Sequence, residues 1–303
     1  MVLINFNQKL YNKHIEKISI KLRENIKKSL TRYYRTSITL KCLKYLAQND
    51  VIENLLKADP KKLKLQIEYF QTNFPTSIKK GKELNKILRN EIFEKEYNNW
   101  SSRTIYGAYK FVEDLKLKTC PYCNRNYTFI VNEKDGKLRP EIDHFYPKSL
   151  YPFLAMSFYN LIPSCTICNH TKSDIQKDGL LNPYDIKNNS FKFTYTPKNI
   201  DFVNVKKEQY SFDNFEINII GNDNNIKLFK LKELYTQHKD IVLELLIKKA
   251  YYPHSYIKEL ENFGFSENEI YRYLFSNYKK NEDLHKRPLS KLIKDISEEL
   301  KLI

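Results

Sequence analysis

An α+β chain, mainly helical with a small zinc-stapled ββα module at its centre, is the fold class this sequence predicts. Two Cys-x-x-Cys pairs, Cys120/Cys123 and Cys165/Cys168, enclose 41 intervening residues. Each pair wraps a turn that aims both sulfurs at one point, so four thiolates can surround a tetrahedral Zn²⁺. Apolar residues recur at helical spacing before Lys118 and again towards the C-terminus. Between Cys120 and Asp178 that periodicity gives way to short extended runs.

The first 118 residues read as all-helical. Across 13–35, Ile15, Ile18, Leu22, Ile26, Leu30 and Tyr33 fall on one face, and Lys13, Lys17, Lys21, Lys28, Arg32 and Arg35 on the other. Further helices are predicted at 38–48, 60–73, 77–97 and 101–117, with Asp59-Pro60 and Phe74-Pro75 as breaks. In the central region, Tyr127–Val131 and Leu138–His144 read as strands joined through Asp135-Gly136, followed by a loop to Asn160 and a short helix over 166–176. Beyond Asp178, strands are expected at 191–195, 210–212 and 215–220, and helices at 229–250 and 289–301. Ser266 and Glu269 form a capping box, with Phe265 and Ile270 as its staple and Gly264 ending the preceding helix. Three regions follow: a basic helical 1–118, the zinc module 119–178, and 179–303, a β-prone connection leading to helices suited to partner docking.

The formal net charge is +16, but it is unevenly spread. Residues 1–118 hold 25 Lys+Arg against 12 Asp+Glu, whereas the other two regions are nearly balanced. Attraction for a polyanion is therefore sought in the N-terminal third. The opening residues turn polar too soon for a signal peptide, and no run approaches the roughly 18 apolar residues of a membrane span, so the expected location is cytoplasmic, off the membrane. Four of the five cysteines belong to the pairs, a metal clamp rather than a disulfide framework. Cys42 reads as an inert core thiol. His14, His238, His254 and His285 lack ligand spacing and read as surface or packing residues. The 23 Tyr and 18 Phe are core filling, with Tyr33 and Tyr34 as candidates for base stacking.

The runs Pro140-Glu141-Ile142-Asp143-His144, Asn160-Leu161-Ile162-Pro163-Ser164-Cys165 and Cys168-Asn169-His170-Thr171-Lys172 resemble, over about 120–175, the HNH endonucleases of the ββα-metal class that carry two zinc-binding cysteine pairs. The resemblance implies His144 as general base, Asp143 and Asn169 as ligands of a catalytic Mg²⁺ or Mn²⁺, and Asn160 as a brace for the loop. His170 competes with Asn169 for the last ligand position. It implies that the four cysteines hold structural zinc only. The wider layout, with a basic helical leader, Cys-Pro-Tyr-Cys, Asp-His-Phe-Tyr-Pro-Lys-Ser and Arg287-Pro288-Leu289-Ser290-Lys291-Leu292, resembles the nuclease components of Septu-like antiphage systems. That implies an ABC/SMC-like ATPase as partner and DNA as substrate.

The chemistry agrees with the resemblance. Phosphodiester cleavage needs a base that works near neutral pH and positive charge on the leaving oxygen, and an imidazole beside a hard oxygen-ligand site offers both. Lys148 and Lys172 are candidates to touch phosphate. Glu141, two residues before Asp143, shares its strand face and is a candidate to support the metal ligands. Two alternatives stand beside this reading: a ribonuclease acting on a substrate such as transfer RNA, and a zinc-stapled binding module without catalysis, which would have no need of Asp143, His144 and Asn169 at motif spacing.

Overall fold

The computed structural model describes residues 1–32, 35–132, 136–198, 203–204, 209–210, 212–252 and 254–302. The expected stacking residues Tyr33 and Tyr34 and the turn residue Asp135 lie outside them, as does the His254 side chain. The chain is mainly helical with small two-stranded sheets, and it divides into two compact units. Among the described residues no helix is long and apolar enough to cross a membrane.

One unit comprises Asn5–Leu117 and Thr128–Gln176. Its first helix, α1 (Gln8–Leu30), starts ahead of the expected boundary because the Asn7 side chain accepts from Leu10 N at 3.0 Å and caps it. Leu10, Ile15, Ile18, Leu22 and Ile26 are buried along one stripe, as the spacing demands. Next come α2 (Ser37–Leu46), α3 (Val51–Lys57) and α4 (Pro60–Asn73). Asp59 caps α4 by accepting from Lys61 N and Lys62 N, with Pro60 in the first turn where its missing N–H costs nothing. The helix expected over 77–97 is instead a turn, then α5 (Glu83–Ile87), a π-helical segment Leu88–Ile92 and α6 (Phe93–Ser102). Gly81, with φ +87° and open space where a Cβ would lie, makes the turn that delays the helix. The last of these helices is α7 (Ala108–Leu115).

The strands depart from expectation in partnering. The pair β1 (Val131–Asn132) and β2 (Lys137–Leu138) is short. Pro140, which lacks an N–H, stands between β2 and β3 (Glu141–His144). The partner of β3 is β4 (Leu161–Ser164), antiparallel with Asp143 opposite Ile162 and His144 opposite Leu161. The strand that carries Asp143 and His144 thus pairs across the long loop rather than through the tight hairpin. Helix α8 (Thr166–Lys172) follows β4 directly. The N-terminal helices close over this module: Phe70 stacks on Phe153 at 3.8 Å, and Ser157 Oγ donates to the Leu55 carbonyl at 2.7 Å. His14 is fully buried among Trp100, Phe111 and Phe158, with Nε2 donating to the Met156 carbonyl at 2.8 Å.

The other unit comprises Met1–Ile4, Lys118–Tyr127 and Lys177–Ile303. Its sheet is β5 (Phe191–Pro197) against a later strand, β8, and a minor pair β6 (Val203–Asn204) and β7 (Gln209–Tyr210) lies between them in sequence. β8 (Phe215–Gly221) alternates in burial as β5 does, turning Phe191, Phe193, Phe215 and Ile217 inward. α9 (Asp223–Leu228) precedes the helix expected over 229–250, which is itself two: α10 (Leu231–Thr236), entered through Lys230 in the left-handed region, and α11 (Lys239–Tyr251), separated from it at His238. α12 (His254–Asn262), α13 (Glu267–Phe275) and α14 (Ser290–Glu299) complete it. The capping box at Ser266 forms, with Ser266 N donating to Glu269 at 2.8 Å. On α2 of the first unit, Cys42 is buried with its thiol pushed up to about 12 by burial, an inert core residue.

Candidate functional site

The β3–β4 ladder and α8 bring Asp143, His144 and Asn169 to one cleft of about 220 Å³, also lined by Ile142, Pro147, Lys148, His170, Ser173 and Asp174. Asp143 and His144 end the strand, and Asn169 sits one turn into α8, whose backbone closes with Asn169 N donating to the Cys165 carbonyl at 3.0 Å. Sequence separation of more than 20 residues is thus spanned by a single strand pair and its following helix.

His144 is buried at 6 % exposure, and its Nε2 lies 3.0 Å from the Ala155 carbonyl. A carbonyl only accepts, so Nε2 carries the proton and Nδ1 of the neutral ring keeps its lone pair. Burial, then the Lys148 ammonium, and after these Lys172, push the imidazole well below its ordinary range, against the opposing Ala155 hydrogen bond. The ring packs edge-on against Tyr97, centroids 4.6 Å apart, and Lys148 lies 5.3 Å above the same tyrosine.

Asn160 is fully buried and does not line the cleft. Its Oδ1 accepts from Tyr146 N at 2.7 Å, and its Nδ2 donates to the carbonyls of Tyr146 at 3.1 Å and Leu154 at 2.9 Å. One amide thereby staples both ends of the loop that carries Pro147 and Lys148. The Asn169 Nδ2 donates to Glu141 Oε2 at 2.5 Å, leaving its amide oxygen, the atom a hard cation would take. His170 Nε2 lies 3.6 Å from Glu141 Oε1, and His170 is largely exposed. The donor set of one carboxylate and one amide oxygen fits a hard divalent ion that keeps several waters.

Lys172 differs from expectation. It is neither a surface residue nor placed to touch phosphate: it is fully buried, donating to Asp143 Oδ1 at 3.1 Å and to the His144 carbonyl at 2.6 Å. Its position at the end of α8 turns it under the strand. Tyr97, Asp174 and the Ala155 carbonyl were not singled out by the sequence, because none belongs to a spaced motif and each reaches the site only through tertiary packing.

The four cysteine sulfurs lie within 4.8 Å of one another, a buried cluster in which Cys165 alone retains partial residue exposure. A Zn–S distance of about 2.3 Å places tetrahedral sulfurs about 3.8 Å apart, so these four thiols are positioned for a zinc site. Its ligand shell would be closed. The Cys120/Cys123 pair sits on a tight knuckle: Cys120 N donates to the Asn126 carbonyl, Asn124 N to the Cys120 carbonyl at 2.7 Å, and Arg125 N to Cys123 Sγ at 3.4 Å. Asn124, at φ +50°, turns that corner with its side chain fully committed. It donates to Thr119, Leu284 O and Arg287 O, and accepts from Ser290 Oγ and Lys291 N at 3.0 and 3.1 Å.

No protein-family model matches this chain, and no solved structure matches it. Over 92 residues it is 42 % identical to the Septu protein PtuB of Bacillus thuringiensis, a stretch that makes up 29 % of this chain and 34 % of that protein. The chain therefore spans about a third of the length of this curated relative.

Proposed function

We propose that this chain is a metal-dependent HNH-type endonuclease that hydrolyses nucleic-acid phosphodiesters, DNA foremost. The observation that carries the reading is a neutral His144 whose Nε2–H is spent on Ala155, leaving Nδ1 unprotonated in the same cleft as Asp143 and Asn169. Nδ1 takes the proton of a water as its oxygen forms the new bond to phosphorus, and the bond to the leaving oxygen breaks. Asp143 and Asn169 would hold Mg²⁺ or Mn²⁺, which when bound supplies positive charge at that leaving oxygen. The Ala155 bond keeps the imidazole from rotating, and Asn160 holds the loop that presents Lys148. The cysteine cluster would hold zinc as a scaffold, supplying folding free energy to a module too small to bury its own core.

The partial likeness to Septu PtuB supports a narrower reading, in which the chain is the nuclease subunit of an antiphage complex beside an ABC/SMC-like ATPase. Co-purification with such an ATPase tests this, and a monomeric chain that is fully active alone counts against it.

The activity is tested by incubating the purified chain with plasmid, single-stranded DNA and transfer RNA in Mg²⁺. His144→Ala is expected to abolish cleavage, with zinc content and circular dichroism unchanged. Equal activity of that variant overturns the mechanism, and cleavage confined to transfer RNA transfers the reading to a ribonuclease.

A further inference from the structure

Part of the positive charge of α1, in the N-terminal third where attraction for a polyanion is sought, is engaged in ion pairs with acids of this chain. Lys13 pairs with Asp114, Lys17 with Glu16, Lys21 with Glu24 and Arg23 with Glu53, at 3.8, 2.8, 3.0 and 3.2 Å. The turn before α5 is different. Lys79, Lys80, Gly81 and Lys82 are consecutive exposed residues, and among those described no acid pairs with Lys79 or Lys82. Lys80 reaches only Asp174, at 3.8 Å, with both side chains more than half exposed.

Asp174 lines the catalytic cleft, so that contact puts the turn at the cleft's rim. A buried residue holds it there. Asn85, fully buried on α5, donates through Nδ2 to the Ser77 carbonyl at 2.7 Å and to the Ser149 carbonyl at 3.3 Å. The first is in the lysine turn and the second follows Lys148, so one amide ties the turn to the loop that forms the cleft wall.

We propose that the Lys79-Lys80-Gly81-Lys82 turn binds the backbone phosphates of the nucleic-acid strand next to the scissile one, the proposal resting on the nuclease reading above. Lysine is suited to this as a mobile point charge that neutralises phosphate without reading bases. An incoming phosphate competes with Asp174 for Lys80, and surface ion pairs of this length contribute little that must be given up.

The test uses the full chain and a labelled DNA duplex, with Ca²⁺ in place of Mg²⁺ to hold back cleavage, over a range of salt. Lys79→Gln/Lys80→Gln/Lys82→Gln is expected to reduce the magnitude of the slope of log K against log salt by about one to three, since each duplex phosphate contact contributes about 0.9. Lys13→Gln/Lys17→Gln/Lys21→Gln removes the same formal charge and is expected to change the slope by less. An unchanged slope in the turn variant, or an equal loss in the helix variant, overturns the proposal while the nuclease reading stands. A wild-type chain that binds neither the duplex nor transfer RNA removes both.

Discussion

The Lys172 ammonium sits 3.1 Å from Asp143 Oδ1 with both side chains buried, at 0 % and 4 % exposure. A buried carboxylate that has lost its counter-charge is expensive, so Lys172→Met is expected to destabilise the chain by about 3–5 kcal/mol. Adding Asp143→Asn should recover much of that loss. Denaturant melts of the two variants decide it, and equal stabilities would show that the pair is not coupled.

Asn160→Ala removes the three hydrogen bonds by which a fully buried amide ties Tyr146 N and the Tyr146 and Leu154 carbonyls together. A loss of about 2–4 kcal/mol is expected, from about 0.5–1.5 kcal/mol for each of the three hydrogen bonds. Amide hydrogen exchange should locate the loosening between residues 146 and 154, ahead of global unfolding.

His14 makes stability depend on pH. Burial lowers its imidazole to about 4, whereas the unfolded chain titrates near 6.5. Between those values the unfolded state binds more protons, so stability falls as pH drops from 6.5 towards 4, by roughly 3 kcal/mol in all. Melts across that window should show this slope. It should flatten in His14→Gln, whose amide does not titrate.

Cys165→Ala removes one of the four sulfurs positioned for zinc. Metal content measured on the purified protein should fall, and the melting temperature with it, since the binding free energy of a structural zinc is folding free energy. Retention of full zinc and an unchanged melt would exclude the cluster as a metal site.

Much of this site is legible in the sequence, for reasons of local chemistry. Cys-x-x-Cys pairs, Asp143-His144 and Cys168-Asn169 are runs whose spacing alone constrains where side chains go, and the four sulfurs indeed converge. The Asp59-Pro60 start of α4 and the Ser266 capping box are equally local, and both form. What could not be read is long-range. The pairing of β3 with β4 across 16 intervening residues, Tyr97 against His144, and the inward turn of Lys172 depend on partners that no short window contains. The lysine at 172 shows the limit well: its place in the motif suggests a contact with phosphate, and only the closing of α8 onto β3 makes it a buried strut.

Asn124 gives the cysteine knuckle an unusual dependence. Five of its side-chain hydrogen bonds run to Thr119, Leu284, Arg287, Ser290 and Lys291, so four of the five residues it meets arrive more than 150 positions later in the chain. The corner holding Cys120 and Cys123 thus reaches its final form only once residues 284–291 have been made and have folded back onto it. A chain cut short before Leu284 would carry Cys120 and Cys123 in a turn that lacks this buttress.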